Sequence, residues 1–154
     1  IEGWKKFDDS TLRMFAEYAD LTSYWWTNDP RTRNISYGHH IYSDGYRYRG
    51  RPIGHWADQD SKILSLGGLF LHDDGIGWGA TIRSGKLNED GTGNNSVSNG
   101  VITDYLSIEF LNSRDYSSLA LSVFSSIGWE SLDTRSLDDK NEGLSAFLSI
   151  TRSF

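Results

Sequence analysis

Between Tyr37 and Asp60 the chain gathers three of its four histidines (His39, His40, His55), four tyrosines (Tyr37, Tyr42, Tyr46, Tyr48), three arginines (Arg47, Arg49, Arg51) and three aspartates (Asp44, Asp58, Asp60). Tyrosine and tryptophan rings offer flat apolar faces to the C–H surface of a sugar, and arginine forks bind carboxylates in bidentate fashion. Such a set is what a site for an acidic polysaccharide needs. Two other chemistries fit less well. His39, His40 and His55 with Asp58 and Asp60 show neither H-x-x-x-H nor zincin spacing, so no metal ligand set is assigned. Asp58 and Asp60 could be read as a glycosidase pair, but two acids two residues apart in a loop do not report the separation of roughly 5–9 Å across a glycosidic bond. The stretch from Asn88 to Ser96 looks superficially like a calcium loop, yet it lacks the bidentate glutamate at the twelfth position and reads as a flexible surface loop.

Strands must position these residues. Arg47, Arg49 and Arg51 alternate, so an extended segment sends all three to one side and Tyr46 and Tyr48 to the other. In that arrangement the arginines pair with acids such as Glu17 and Glu109, or contact a ligand. Elsewhere alternation recurs. Leu144, Ala146, Leu148, Ile150 and Phe154 share one face, opposite Ser145, Phe147, Ser149 and Thr151. Similar strands are expected over residues 12–19, 63–71, 76–83, 101–111 and 117–129. Each approaches the 9–11 residues that a tilted membrane-spanning strand requires.

The connections fall into two classes. Asp8–Ser10, His72–Gly75 and Asn112–Tyr116 are short, whereas 21–62, 84–100 and 130–142 are long, and the two classes alternate along the chain. Short periplasmic turns alternating with long extracellular loops are the pattern of an outer-membrane barrel. On the apolar faces Phe154, Phe110 and Trp78 fall near one end and Trp129 and Tyr18 near the other, as two aromatic girdles require. Trp25 and Trp26 follow the upper end of a strand, as girdle residues or as a platform for sugar. A soluble antiparallel sandwich shows the same alternation, but it has no reason to segregate its loops by length.

Composition agrees. The chain has 154 residues, 37% hydrophobic and 14% aromatic, with sixteen glycines and two prolines, which suits a β-rich wall with a polar interior. A net charge of −6 and a pI near 5.1 leave no overall electrostatic footprint for nucleic acid. With no cysteine, disulfides and thiolate chemistry are excluded. The sequence starts at Ile1 and has one methionine, Met14, consistent with a piece of a longer polypeptide. Strand parity says the same. With the C-terminus periplasmic, the strand at Leu12 runs upward, so Ile1–Phe7, with Trp4 and Phe7 near the inner interface, is the tail of a downward strand begun upstream. The chain is therefore expected to be the C-terminal part of a larger barrel, about six to seven strands of it, folded as a single domain with a long extracellular loop at 21–62.

Asp44-Gly-Tyr-Arg-Tyr-Arg-Gly-Arg-Pro-Ile-Gly-His55, followed by Asp58, Asp60-Ser61 and Leu64-Ser-Leu-Gly67, resembles the Wzi family of capsule assembly proteins. Asp9-Ser-Thr-Leu-Arg13 and Glu17-Tyr-Ala-Asp20 are similar to the same family, so the resemblance is strongest over residues 9–67. It implies an outer-membrane β-barrel of roughly eighteen strands, of which this chain supplies about a third, in a Gram-negative bacterium. It also implies a lectin-like, non-enzymatic role in holding capsular polysaccharide at the cell surface, with loops that block the barrel and a helical bundle in an N-terminal part that has no counterpart here. The ligand-binding residues expected are Tyr42, Tyr46, Arg47, Tyr48, Arg49, Arg51, His55, Trp56, Asp58 and Asp60, with no cofactor, metal or catalytic residue assigned. Expected partners are acidic capsular polysaccharide, outer-membrane lipid and the N-terminal remainder of the same barrel, and no nucleic acid. A porin or transporter and a surface polysaccharide hydrolase are the alternatives.

Overall fold

The computed structural model describes residues 1–22, 36–37, 46–49, 51–91, 95–134 and 138–152. In chain order the strands are β1 (Glu2–Lys6), β2 (Ser10–Asp20), β3 (Arg47–Tyr48), β4 (Arg51–Pro52), β5 (Lys62–His72), β6 (Ile76–Leu87), β7 (Thr103–Tyr116), β8 (Leu121–Thr134) and β9 (Asp139–Arg152). Seven of them form one antiparallel sheet in the order β1-β2-β5-β6-β7-β8-β9, and β3 pairs only with β4. Consecutive sheet strands are neighbours throughout, so this is an up-and-down meander. The sheet is open, with β1 and β9 at its edges.

Period-2 patterning gives the sheet two unlike faces. On the first, the register aligns Met14, Gly68, Ala80, Phe110, Ile127 and Ala146 in one row. Rows on either side hold Ala16, Leu66, Ile82, Ile108, Trp129 and Leu144, and Leu12, Phe70, Trp78, Asn112, Ser125 and Leu148. From β2 to β9 these three rows contain no charge. Large apolar side chains on this face stand in the open, Trp78 at 59% and Leu148 at 64% exposure, which is costly in water and suited to hydrocarbon. Along β8 the face runs from Leu121 to Ser131, which at ~3.3 Å per residue and a tilt of ~35–45° makes a band about 25 Å tall. At the loop end the band is bounded by a charged row, Asp20, Lys62, Lys86, Asp104, Asp133 and Lys140.

The second face is mixed. Glu17, Ser65, Arg83, Ser107 and Glu130 share one level, and Glu109 on the next row lies 3.8 Å from Arg83. Glycines admit bulky neighbours here: Phe15 lies against Gly67, and a Cβ on Gly79 would meet Leu111 at 2.8 Å. The core sits at the loop end of this face, where Ile63, Leu87 and Tyr105 from the sheet bury Ala57 from the β4–β5 segment.

Several boundaries differ from the sequence expectation. Residues 112–116 continue β7, and the turn falls instead on a short 3-10 segment at Ser117–Leu119 closed by Ala120 at φ 49°. Consequently the next strand begins at Leu121 rather than Ser117, and Leu119 belongs to the turn. The connection expected over 130–142 is mostly strand, because β8 runs to Thr134 and β9 starts at Asp139. Pairing continues past the apolar band since ladder hydrogen bonds require only backbone groups. In the same way β6 extends to Leu87, so the second long connection starts at Asn88. Phe154, Trp25 and Trp26 lie outside the described residues.

The two faces predict opposite responses to charge. Ile127→Arg, near the middle of the apolar band, should destabilise the membrane-inserted protein by about 2–4 kcal/mol, whereas Thr81→Arg on the mixed face should be nearly neutral. Urea titration of the folded fraction in lipid vesicles measures both; equal costs would refute the assignment of faces.

Candidate functional site

Within the β2–β5 segment, Arg47–Tyr48 and Arg51–Pro52 pair as a small hairpin rather than continuing as one extended strand. Arg47 pairs with Pro52 and Tyr48 with Arg51, and Arg49 in the turn takes φ 50°. This corrects the expectation that Arg47, Arg49 and Arg51 point the same way, because the reversal after Tyr48 breaks the period of two. It also separates their roles. Arg47 turns inward, while Arg49 and Arg51 stay exposed.

Arg47 makes a bidentate pair with Asp58, both N···O distances being 2.6 Å, and the Asp58 side chain has no solvent exposure. Its partner is therefore neither Glu17 nor Glu109. Asp58 also accepts the backbone N–H of Ser96 at 2.8 Å and of Gln59 at 2.8 Å. Burial pushes its carboxyl up, but the hydrogen bonds from Arg47, Ser96 and Gln59 outweigh this and hold it below the usual carboxylate range. Asp60 is buried as well, and its Oδ2 accepts the backbone N–H of Asp90 at 2.8 Å. Burial, reinforced by the carboxylates of Asp90 and Glu89, pushes Asp60 up to about 6.

The backbone around these acids is fastened to the start of its own connection and to the β6–β7 connection. Leu21 N–H donates to the Ser61 carbonyl, Asp60 N–H to the Leu21 carbonyl, and Glu89 N–H to the Asp60 carbonyl, at 2.8, 3.2 and 2.8 Å. The Asn95 side-chain amide donates to the carbonyls of Ala57 and Gln59 at 2.8 and 2.9 Å, while its oxygen accepts the N–H groups of Val97 and Ser98. Tyr37 accepts the His55 N–H at 2.7 Å, with its ring lying where a Cβ on Gly54 would stand, so a side chain at 54 would displace the tyrosine from this contact. Burial lowers the pKa of His55, favouring the neutral imidazole, against a smaller opposing pull from Glu17.

What remains accessible is a rim of aromatic and cationic groups. Tyr46 and Tyr48 are 60% and 68% exposed, and the Arg49 guanidinium lies 5.3 Å from the Tyr48 ring centroid. Trp56 stands 4.9 Å from Tyr105 on β7 and 5.6 Å from His55, leaving part of its indole open. Of the expected ligand residues, Tyr46, Tyr48, Arg49, Arg51 and Trp56 are thus presented, His55 is half-buried, and Arg47, Asp58 and Asp60 are internal fastenings. Tyr42, with His39, His40 and Asp44, lies outside the described residues. The expectation from sequence passed over Asn95, Ser96 and Tyr105. Asn95 and Ser96 fall within the stretch taken for a flexible loop, and only the fold brings them to residues 57–61.

If the Arg47–Asp58 pair holds the hairpin, Arg47→Ala and Asp58→Ala should each cost the closed loop about 2–5 kcal/mol, and the double variant should cost clearly less than the sum. Amide hydrogen exchange over residues 53–61 reads the effect. Strict additivity would show that the two groups do not support each other.

The family model for the capsule assembly protein Wzi matches residues 4–142. No match is found among curated protein sequences. Among solved structures, the fold is shared with Wzi of Escherichia coli, described as an outer-membrane protein involved in group 1 capsule assembly and as a carbohydrate-binding β-barrel, with a TM-score of 0.76 and 20% identity. The match covers 97% of this chain and 31% of that one, so the chain spans about a third of the length of the solved protein. The lipid-suited face, the open antiparallel meander and the family match over nearly its whole length agree: the chain belongs to the Wzi capsule assembly family of outer-membrane β-barrel proteins.

Proposed function

We propose that this chain is the polysaccharide-holding part of a capsule assembly barrel, acting as a surface lectin rather than as an enzyme. Residues 21–62 form the extracellular loop of a single domain, and strands elsewhere in the same protein, N-terminal to these, close the sheet between β1 and β9. The charge-free rows meet outer-membrane lipid. Tyr46, Tyr48 and Trp56 stack on sugar rings while Arg49 and Arg51 take the carboxylates of an acidic polymer.

The observation that carries this reading is the division of labour within the loop. Arg47, Asp58 and Asp60 are spent on internal fastening, which leaves a pre-formed aromatic and cationic rim at the surface. Pre-organisation of that kind lowers the entropy cost of binding. A hydrolytic role for Asp58 and Asp60 fits poorly, since both carboxylates are buried away from any glycosidic bond. An open pore fits poorly too, because Ala57 and Trp56 fold over the lumen side of the sheet.

Tyr48→Ala and Arg49→Gln should each weaken binding of a uronic-acid-containing capsular polymer by about 1 kcal/mol, roughly fivefold. Their combination should release polymer from the cell surface into the medium while the barrel is still inserted. Unaltered retention, or shortening of the polymer during incubation with the protein, would count against the lectin reading; high ion conductance in planar bilayers would support the porin instead.

A further inference from the structure

Beside the aromatic rim, the loop end of the mixed face carries a second concavity that the proposed sugar contacts do not use. One side of it is strand: Thr103 of β7, Leu132 and Thr134 of β8, and Asp139 and Asn141 of β9. The register puts Thr103, Thr134 and Asp139 in one row and Leu132 and Asn141 in the next. The other side is the β6–β7 connection, through Val97, Ser98 and Val101. The cavity measures about 230 Å³, below the roughly 300–1,000 Å³ of sites for drug-sized ligands, and suits one monosaccharide unit.

Ser98 sets this cavity apart. It is 5% exposed, and its hydroxyl has no hydrogen-bond partner among the described residues. Buried hydroxyls are ordinarily satisfied, so one left open on the wall of a cavity marks a place for a ligand group. Further polar groups stand beside it. The Asn141 amide donates to Asp139 Oδ2 at 3.2 Å, which leaves Oδ1 of each residue able to accept. The wall opposite the strands is fixed in advance. Asn95 Oδ1 accepts the N–H groups of Val97 and Ser98 at 2.9 and 3.0 Å, and the Val101 N–H donates to the Ser98 carbonyl at 3.1 Å. Val97 and Leu132 pack against the buried cluster that contains Leu87 and Tyr105, so part of the lining is apolar and rigid. A cavity built this way loses little entropy when it is filled.

We propose that this cavity is a second sugar subsite, one that takes an uncharged hexose. Hydroxyls of the sugar donate to the free oxygens of Asp139 and Asn141 and accept from Ser98 and Thr134, while its C–H face rests on Val97 and Leu132. Charge selects against a uronic acid here. No lysine or arginine among the described residues lines the cavity, and Lys140 lies on the opposite face, where it binds Glu142 at 2.6 Å. A sugar carboxylate would meet Asp139 with no cation to offset the repulsion. The rim, with Arg49 and Arg51, has the reverse preference. Trp56 touches Tyr105, whose register partner is Leu132, whose partner in turn is Asn141. Rim and cavity are therefore about two strand spacings apart, roughly 10 Å, a span that one polymer chain can bridge. The inference deepens the proposed function by naming a neutral unit beside the acidic one, and it rests on that reading for the claim that both sites hold the same polymer.

The test is saturation-transfer NMR on the full-length barrel in a detergent free of sugar, with the methyl glycosides of glucose, galactose, mannose and rhamnose and methyl glucuronide as probes. At least one neutral glycoside should bind, and Ser98→Ala should weaken it about fivefold, the loss of one hydrogen bond. Because the Ser98 hydroxyl has no protein partner to lose, that variant should unfold at the wild-type temperature. Asn141→Ala, at an exposed position, is the second variant and should weaken binding to a similar degree. With the rim removed by Tyr48→Ala and Arg49→Gln together, the neutral glycoside should still bind and the glucuronide should not. Binding by none of the four neutral glycosides, binding unchanged in both cavity variants, or equal binding of the glucuronide in the rim-deleted protein would each overturn the subsite. Binding lost to a chelator and restored by calcium would overturn it in favour of a cation site. Failure of the rim reading gives a different result: polymer retention is then unaffected by Tyr48→Ala and Arg49→Gln, while Ser98→Ala still weakens the glycoside and the subsite stands.

Discussion

Inside hydrocarbon no water is available to a peptide group, and this one constraint shapes most of the chain. Every N–H and C=O in the band must find a partner in the next strand, which forces the meander and leaves side chains to sort by parity alone. A one-residue shift in any strand would move Ile127 or Phe110 to the mixed face and put Glu109 or Arg83 into lipid. The apolar rows and the charged row at their upper boundary therefore specify register as well as membrane position. By contrast, the mixed face tolerates glycine, serine and charge together, and there bulk is accommodated locally, as where Leu111 covers Gly79.

That difference explains what could be read from the residues alone. The strands at 144–152, 121–129 and 76–83 are legible because alternation of apolar and polar residues is a local property, visible without knowing the fold. Their ends are not, since Ser131, Asp133 and Thr134 extend β8 through backbone pairing that leaves no mark on hydropathy. The family motif around Arg47 and His55 stands out for the same reason as the strands: it is contiguous. Whether Arg47 contacts a ligand or an aspartate depends on a reversal at Arg49 and on Ser96, which reaches Asp58 from another connection. Long-range partners of that sort have no signature in spacing, which is why Arg47, Asp58 and Asp60, expected as ligand contacts, prove to be internal fastenings.

The support also has a cost structure of its own. Burying Asp58 is compensated by two guanidinium contacts and two backbone donors, whereas Asp60 has one donor and acidic neighbours. Two acids separated by one residue thus sit in environments of opposite electrostatic sense, one favouring the charged form and one the neutral form.

The stitching of residues 57–61 to residues 88–90 and 95–96 bears on assembly. A slip of β5 against β6 by two residues would keep every side chain on its proper face, so the membrane itself could not detect the error. It would, however, move Asp58 and Asp60 about 7 Å relative to Ser96 and Asp90, too far for any of those contacts to form. The loop can dock only on a correctly paired wall. Docking in this sense reports register: a sheet paired two residues out keeps its two faces but leaves Asp58 and Asp60 without Ser96 and Asp90.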